Sequence, residues 1–199
     1  MKLGFTKFQI NKKQLGVTLV LLGLMAMLIS GEFLFKDRLK EVALVDTEMS
    51  IMKLITSSEG RVSYKLPESW SYSEKSFPDD GIIHYSEYSS KDKSIIGYAS
   101  VAKSYVTIEE LLKSDREKEE KSYKVEEYCS EEGKLKERPF YAVSYEFTAE
   151  GLGTYIAREY YLSYDDLVVK LSFYIAKEKY KENMTVAFGN ILESFTLNK

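Results

Sequence analysis

A single cysteine, Cys129, leaves the chain no internal disulfide and excludes any cysteine-rich metal site. Its local pattern places it on a strand, half-buried. A single histidine, His84, limits nucleophilic catalysis just as severely. A serine or cysteine nucleophile would have to use that one imidazole as its base. His84 sits in the middle of a strand pattern with no local motif, and one histidine makes a zinc site improbable. Glycine-rich phosphate loops are missing as well. Gly151-Leu152-Gly153 precedes a strand rather than a helix, and the third glycine is absent. Asp79-Asp80-Gly81 lacks EF-hand spacing and reads as a turn. No catalytic residue, cofactor site or metal site is therefore assigned.

Acidic charge is absent from the first 31 residues. Lys2, Lys7, Lys12 and Lys13 are the only charged side chains there, and removing them leaves 24 basic against 31 acidic residues, a net charge of -7. An acidic body argues against a nucleic-acid binder, which needs a basic face. Between Gln14 and Gly31 there is no charge of either sign and no polar stripe (QLGVTLVLLGLMAMLISG). That length approaches the ~20 residues a bilayer core requires. A cleaved signal peptide needs a shorter apolar region and small residues before the cut, and Leu28-x-Ser30 fits that rule poorly. The run therefore reads as an uncleaved signal anchor. Positive charge on the short tail favours a single-pass protein with its N-terminus inside and the larger domain outside the cell membrane. The organisation expected is a cytoplasmic basic tail over 1–14, a transmembrane anchor over 15–35, a helical stalk or linker over 36–57, and an extracytoplasmic domain over 58–199.

Residues 36–56 contain no glycine or proline. Val42, Val45, Met49 and Met52 recur at spacings of three, four and three, two heptads of a possible dimerising seam. Beyond Gly60 the pattern changes to short alternating runs. Strands are expected over 61–66, 81–89, 94–103, 123–130, 140–148, 154–164 and 167–176, with turns at 90–93, 131–134, 150–153 and 165–166. Leu167, Val169, Leu171, Phe173 and Ile175 share one face of the last strand. Thr107-Ile-Glu-Glu110 is a capping box, so a helix should run to about Lys121 with Ile108, Leu111 and Leu112 inward. A second helix from about Glu178 carries Tyr180, Met184, Phe188, Ile191, Leu192 and Phe195 on one stripe. Strands with hairpin-length links and two amphipathic helices make the class α+β, an antiparallel sheet covered by helices.

Tyrosine is abundant, with 16 residues. Tyr141, Tyr145, Tyr155, Tyr160, Tyr161, Tyr164 and Tyr174 cluster in the last three strands. Tyrosine suits strands and keeps one polar end. These seven either fill the sheet under the helices or form a recognition surface for a protein or a cell-wall glycan.

The chain resembles the PsbP-like family, which shares a fold with the Ran-binding Mog-type proteins. The residues that carry the resemblance are YKLPESW (Tyr64 to Trp70), TIEELL (Thr107 to Leu112) and GNILESFTL (Gly189 to Leu197). It spans roughly Gly60 to Lys199. The resemblance implies an α/β/α sandwich and a non-enzymatic role, since relatives act as extrinsic subunits or binding partners of larger complexes. No photosynthetic or Ran-binding residue carries over, and the anchor departs from the plant pattern. The expectation is a membrane-anchored extracytoplasmic binding or assembly module, free of cofactors, whose partner is another membrane or envelope protein. A sensory domain and a motif-poor cell-wall hydrolase are the alternatives.

Overall fold

Strong period-two patterning from Val62 onward produces a chain dominated by strands. The computed structural model describes Met49 and residues 51–77, 81–136 and 138–198. Among the described residues the order is β1 (Met52–Thr56), β2 (Val62–Pro67), β3 (Ser71–Lys75), β4 (Ile82–Ser89), β5 (Ile95–Lys103), α1 (Ile108–Ser122), β6 (Lys124–Leu135), β7 (Arg138–Ala149), β8 (Gly153–Tyr164), β9 (Leu167–Ala176), α2 (Met184–Ser194) and β10 (Thr196–Leu197). The expected tail, anchor and most of the stalk lie outside the described residues, as do Asp79 and Asp80. Among the described residues no helix is long and apolar enough to cross a membrane.

A seven-stranded sheet runs β3-β4-β5-β9-β8-β7-β6, and a three-stranded sheet runs β1-β2-β10. Neighbouring strands are antiparallel throughout. The expected hairpin of β4 and β5 is present, with Glu87 opposite Tyr98. The result is a mostly antiparallel sheet with two helices, the α+β class read from the sequence.

One face of the large sheet carries Val169, Leu171, Phe173 and Ile175, all buried. Helix α2 and the small sheet cover it. Phe188 stacks on Phe173 with ring centroids 4.2 Å apart, and Tyr64 stacks on Phe195 at 5.8 Å. Helix α1 lies on the opposite face. Thr107 caps it: its hydroxyl accepts from the Glu110 N–H and the Glu110 carboxylate accepts from the Thr107 N–H. Ile108 and Leu112 then join a second buried cluster with Val143, Ala157, Tyr161 and Val168.

Five local expectations need correction. The described end of the stalk is not helical: Met52–Thr56 form β1, paired with β2, and Met49 is buried in the main core. Tertiary pairing with β2 overrides the helix propensity of that stretch. Residues 131–134 are strand, not turn, because Gly133 serves packing. A Cβ there would meet Phe140 ring carbons at 2.5 and 2.6 Å, and the chain turns instead at Lys136, with φ 49°. Strand β3 was not foreseen. Cys129 is exposed, since β6 is an edge strand whose register breaks between Glu126 and Cys129, where Glu127 has φ 54°. The second helix begins at Met184, preceded by a 3-10 turn over Lys177–Lys179.

Candidate binding surface

Helix α1 covers only part of its face of the large sheet, and the uncovered part is aromatic. Tyr85 of β4 points the same way as Tyr98 of β5 and Tyr174 of β9, as the alternation and pairing of these strands require. Their rings form a row. Phe77 meets Tyr85 edge-on at 5.2 Å, Tyr85 stacks on Tyr98 at 5.5 Å, and Tyr98 reaches Tyr174 at 6.3 Å. Tyr174 meets Phe147 edge-on at 5.7 Å, and Phe147 stacks on Tyr155 at 5.5 Å. Beyond them Tyr145 stacks on Tyr128, which carries the Arg116 guanidinium 4.5 Å from its centroid. Two hollows follow this row. One, of about 450 Å³, is lined by Ser71, Ser73, Tyr85, Glu87, Tyr98 and Tyr174 among others. The second, of about 290 Å³, lies between the end of α1 and the β7–β8 turn and shares Ile96 and Tyr174 with the first. Ile96 and Leu152 expose 43% and 73% of their surface there, so apolar side chains border both hollows.

A buried ionic network holds these rings. Glu159 is 2% exposed, and its carboxylate accepts from Tyr174 Oη at 2.9 Å and Ser172 Oγ at 3.2 Å. The single Tyr161 hydroxyl proton is shared between Glu159 Oε2 at 2.9 Å and Asp115 Oδ2 of α1 at 3.0 Å. Lys170 Nζ lies 3.0 Å from Asp115 and 3.3 Å from Glu159. It also approaches the Tyr161 ring at 4.8 Å and the Tyr98 ring at 5.7 Å. Burial works against the Lys170 ammonium, but Glu159, with Tyr98 and Asp115, outweighs it and holds the lysine well above its ordinary range. Burial likewise opposes the Asp115 charge, and Lys170 reverses the balance, so its carboxyl is held low. Burial first, and then Glu159, push the Tyr161 and Tyr174 hydroxyls far up. Lys170, Asp115, Tyr161 and Tyr174 therefore keep their charge state across ordinary pH.

The seven tyrosines singled out in the sequence divide between the two faces. Tyr160 and Tyr164 belong to the α2 side, where burial pushes Tyr160 up to about 12 and the Arg138 guanidinium lies 4.1 Å from the Tyr164 ring. Tyr141, Tyr145, Tyr155, Tyr161 and Tyr174 lie on the α1 side. Tyr141 donates to Glu109 Oε1 at 2.5 Å, and that bond pushes it up to about 12. Tyr145 and Tyr161 are buried, and the Tyr145 hydroxyl has no hydrogen-bond partner among the described residues. Only Tyr155 and Tyr174 reach the hollows. Tyr85, Tyr98, Phe147 and Tyr123 belong to the surface and were missed. Their alternation was visible, but nothing local reveals that β5 pairs with β9 and joins two distant hairpins.

His84 is buried beneath a polar cleft of about 380 Å³ lined by Ser58, Glu74 and Lys75 among others. Its Nε2 lies 3.1 Å from Ser86 Oγ, which contacts Tyr64 Oη at 2.7 Å. Nδ1 lies 3.4 Å from Glu74 Oε1, within ion-pair reach but not aligned as a hydrogen bond. Acid, imidazole and hydroxyl thus stand in line as in a serine hydrolase. Ser86 has no exposed surface, however, and its oxygen is already engaged by Tyr64, so no substrate carbonyl reaches it. Burial lowers the His84 pKa more than Glu74 raises it. A histidine lowered on folding stabilises the native state fully above its unfolded pKa of ~6.5, and that contribution falls as pH drops below it. The melting temperature should therefore decline between pH 7 and 5, and the decline should be shallower in His84→Gln. Equal slopes in the two proteins would show that His84 titrates without penalty.

No family model and no curated protein matches the chain. Solved structures do. Cyanobacterial PsbP (CyanoP) from Synechocystis superposes with a TM-score of 0.55 at 9% identity, covering 74% of this chain and 92% of that one. A protein from Bacteroides thetaiotaomicron superposes with a TM-score of 0.51 at 15% identity, covering 74% of this chain and 48% of the other. The likeness is one of fold. At these identities it carries no residue role across, and it agrees with the PsbP-like architecture read from Tyr64 to Trp70 and Gly189 to Leu197.

Proposed function

We propose that the chain is a non-catalytic binding or assembly module, anchored in the cell membrane by residues 15–35, with its domain on the outer side. The observation that carries this reading is the aromatic row on the part of the sheet that α1 leaves open. A monomeric domain gains nothing by displaying Ile96 and Leu152 beside a line of half-buried tyrosines, whereas a partner that covers them removes apolar surface from solvent. Rigid support from the Glu159–Lys170–Asp115 network presents the rings without a large ordering cost on binding. The charge-free run Gln14–Gly31 and the four lysines before it support the anchor and the orientation.

Photocrosslinking in intact cells tests the reading. A benzophenone side chain at Ile96 should give a discrete adduct with an envelope component, whereas the same probe at Tyr105, exposed on the β5–α1 loop, should give none. Protease added to protoplasts should digest the domain and leave the N-terminal peptide protected. Equal labelling at both positions, or full protection of the domain, would overturn the proposal.

A further inference from the structure

We propose that the hollow over β3, β4, β5 and β9 binds an uncharged oligosaccharide, an inference that rests on the binding-module reading and names its ligand class. The lining combines two chemistries in one concave site. Tyr85, Tyr98 and Tyr174 supply ring surface. Ser71, Ser73 and Glu87 supply hydrogen-bonding groups on the same side of β3 and β4, since Ser71 pairs with Ser89 and Ser73 with Glu87. A pyranose has the complementary arrangement, a C–H face bounded by hydroxyls. The Ser71 hydroxyl bonds to Ser89 and Glu87 pairs with Lys75, but an apolar ligand would still take the Ser73 hydroxyl and the second Glu87 oxygen out of water with nothing to replace it.

Charge narrows the class further. Glu87 is the carboxylate of the lining and is ion-paired with Lys75 at 2.5 Å. The pair cancels, so the hollow offers neither an anion nor a cation site. Lys170, the nearest buried cation, is committed to Glu159 and Asp115. A volume of about 450 Å³ falls within the ~300–1,000 Å³ of small-ligand sites. A flat protein epitope would not need such a depression. Tyr98 is central: it touches Tyr85 on one side and Tyr174 on the other, and lies opposite Glu87 on the neighbouring strand.

The test uses the full-length chain in lipid nanodiscs, because glycoside detergents would compete. Chitotetraose, cellotetraose and maltotetraose, all uncharged, are titrated calorimetrically. Saturable binding to at least one is expected, about tenfold weaker in Tyr98→Ala and in Tyr85→Ala and retained in Tyr98→Phe, which keeps the ring. Tyr105→Ala, distant on the β5–α1 loop, should bind as the parent does. Thermal melts identify any variant that fails to fold, and Tyr85→Ala, half-exposed, serves if Tyr98→Ala does. No saturable binding to any of the three probes overturns the proposal, and so does binding that ignores both tyrosines. If sugars fail while the Ile96 probe still captures a discrete protein, the oligosaccharide is wrong and the binding-module reading stands. If the Ile96 probe captures nothing either, both fall.

Discussion

Lys170→Met is expected to destabilise the domain by about 3–5 kcal/mol, read as a lower urea midpoint of the full-length chain. The methionine fills a similar volume, so packing changes little. What is lost is the cation that faces two carboxylates, one of them 2% exposed. Tyr161, Tyr174 and Ser172 still donate to Glu159, yet none of them neutralises it. A charge left buried without its counter-ion carries most of the cost. The double variant Lys170→Met/Glu159→Gln removes both charges and should recover much of the loss, since the glutamine oxygen still accepts from Tyr174 or Ser172. A single variant as stable as the parent would show that water reaches the network freely.

Phe188→Asp is expected to unfold the domain or nearly so. Phe188 has no exposed surface and lies face to face with Phe173, itself fully buried. Truncating such a side chain to alanine costs about 3–5 kcal/mol. An aspartate adds an unpaired charge with no basic group within the buried cluster of Leu171, Phe173, Ile191 and Leu192. Set against a typical total of ~5–15 kcal/mol, little stability remains. Near-ultraviolet circular dichroism and protease sensitivity report the outcome, and an unchanged melting temperature would mean that α2 does not dock on the sheet as described.

Strong alternation made β8 and β9 legible, and the stripe from Met184 to Phe195 made α2 legible. The capping box at Thr107 fixed the start of α1 to the residue. Short edge elements were not. Strand β3 (SYSEK) has no apolar period and exists because β4 offers it hydrogen-bond partners. Strand β1 was hidden within good helix formers, and its pairing with β2 lies on the far side of Gly60. One practical consequence is that a fragment beginning at Ser57 would lose β1 and the buried Met49, so an independently folding piece must start before Met49. The aromatic surface was half legible: tyrosine enrichment pointed to the last three strands, but Tyr145, Tyr160 and Tyr161 are buried. Nothing local marks Glu159, since most of its partners (Ser172, Tyr174 and Lys170) come from β9, which only the hairpin pairing brings beside it. His84 lies on β4, as its strand pattern requires, but nothing local reveals its link to Glu74 and Ser86.

The β6 edge bears on how copies of this chain behave beside one another. A twelve-residue strand with one unpaired side is a template for another strand. The strand carries four glutamates (Glu126, Glu127, Glu131 and Glu132) against two lysines (Lys124 and Lys134), and the kink at Glu127 interrupts a straight run of free amides. Two copies meeting at this edge would place like charges opposite one another and find their ladders out of step. Crowded copies of the domain would therefore resist polymerising through β6, and the aromatic side of each would stay uncovered by that route.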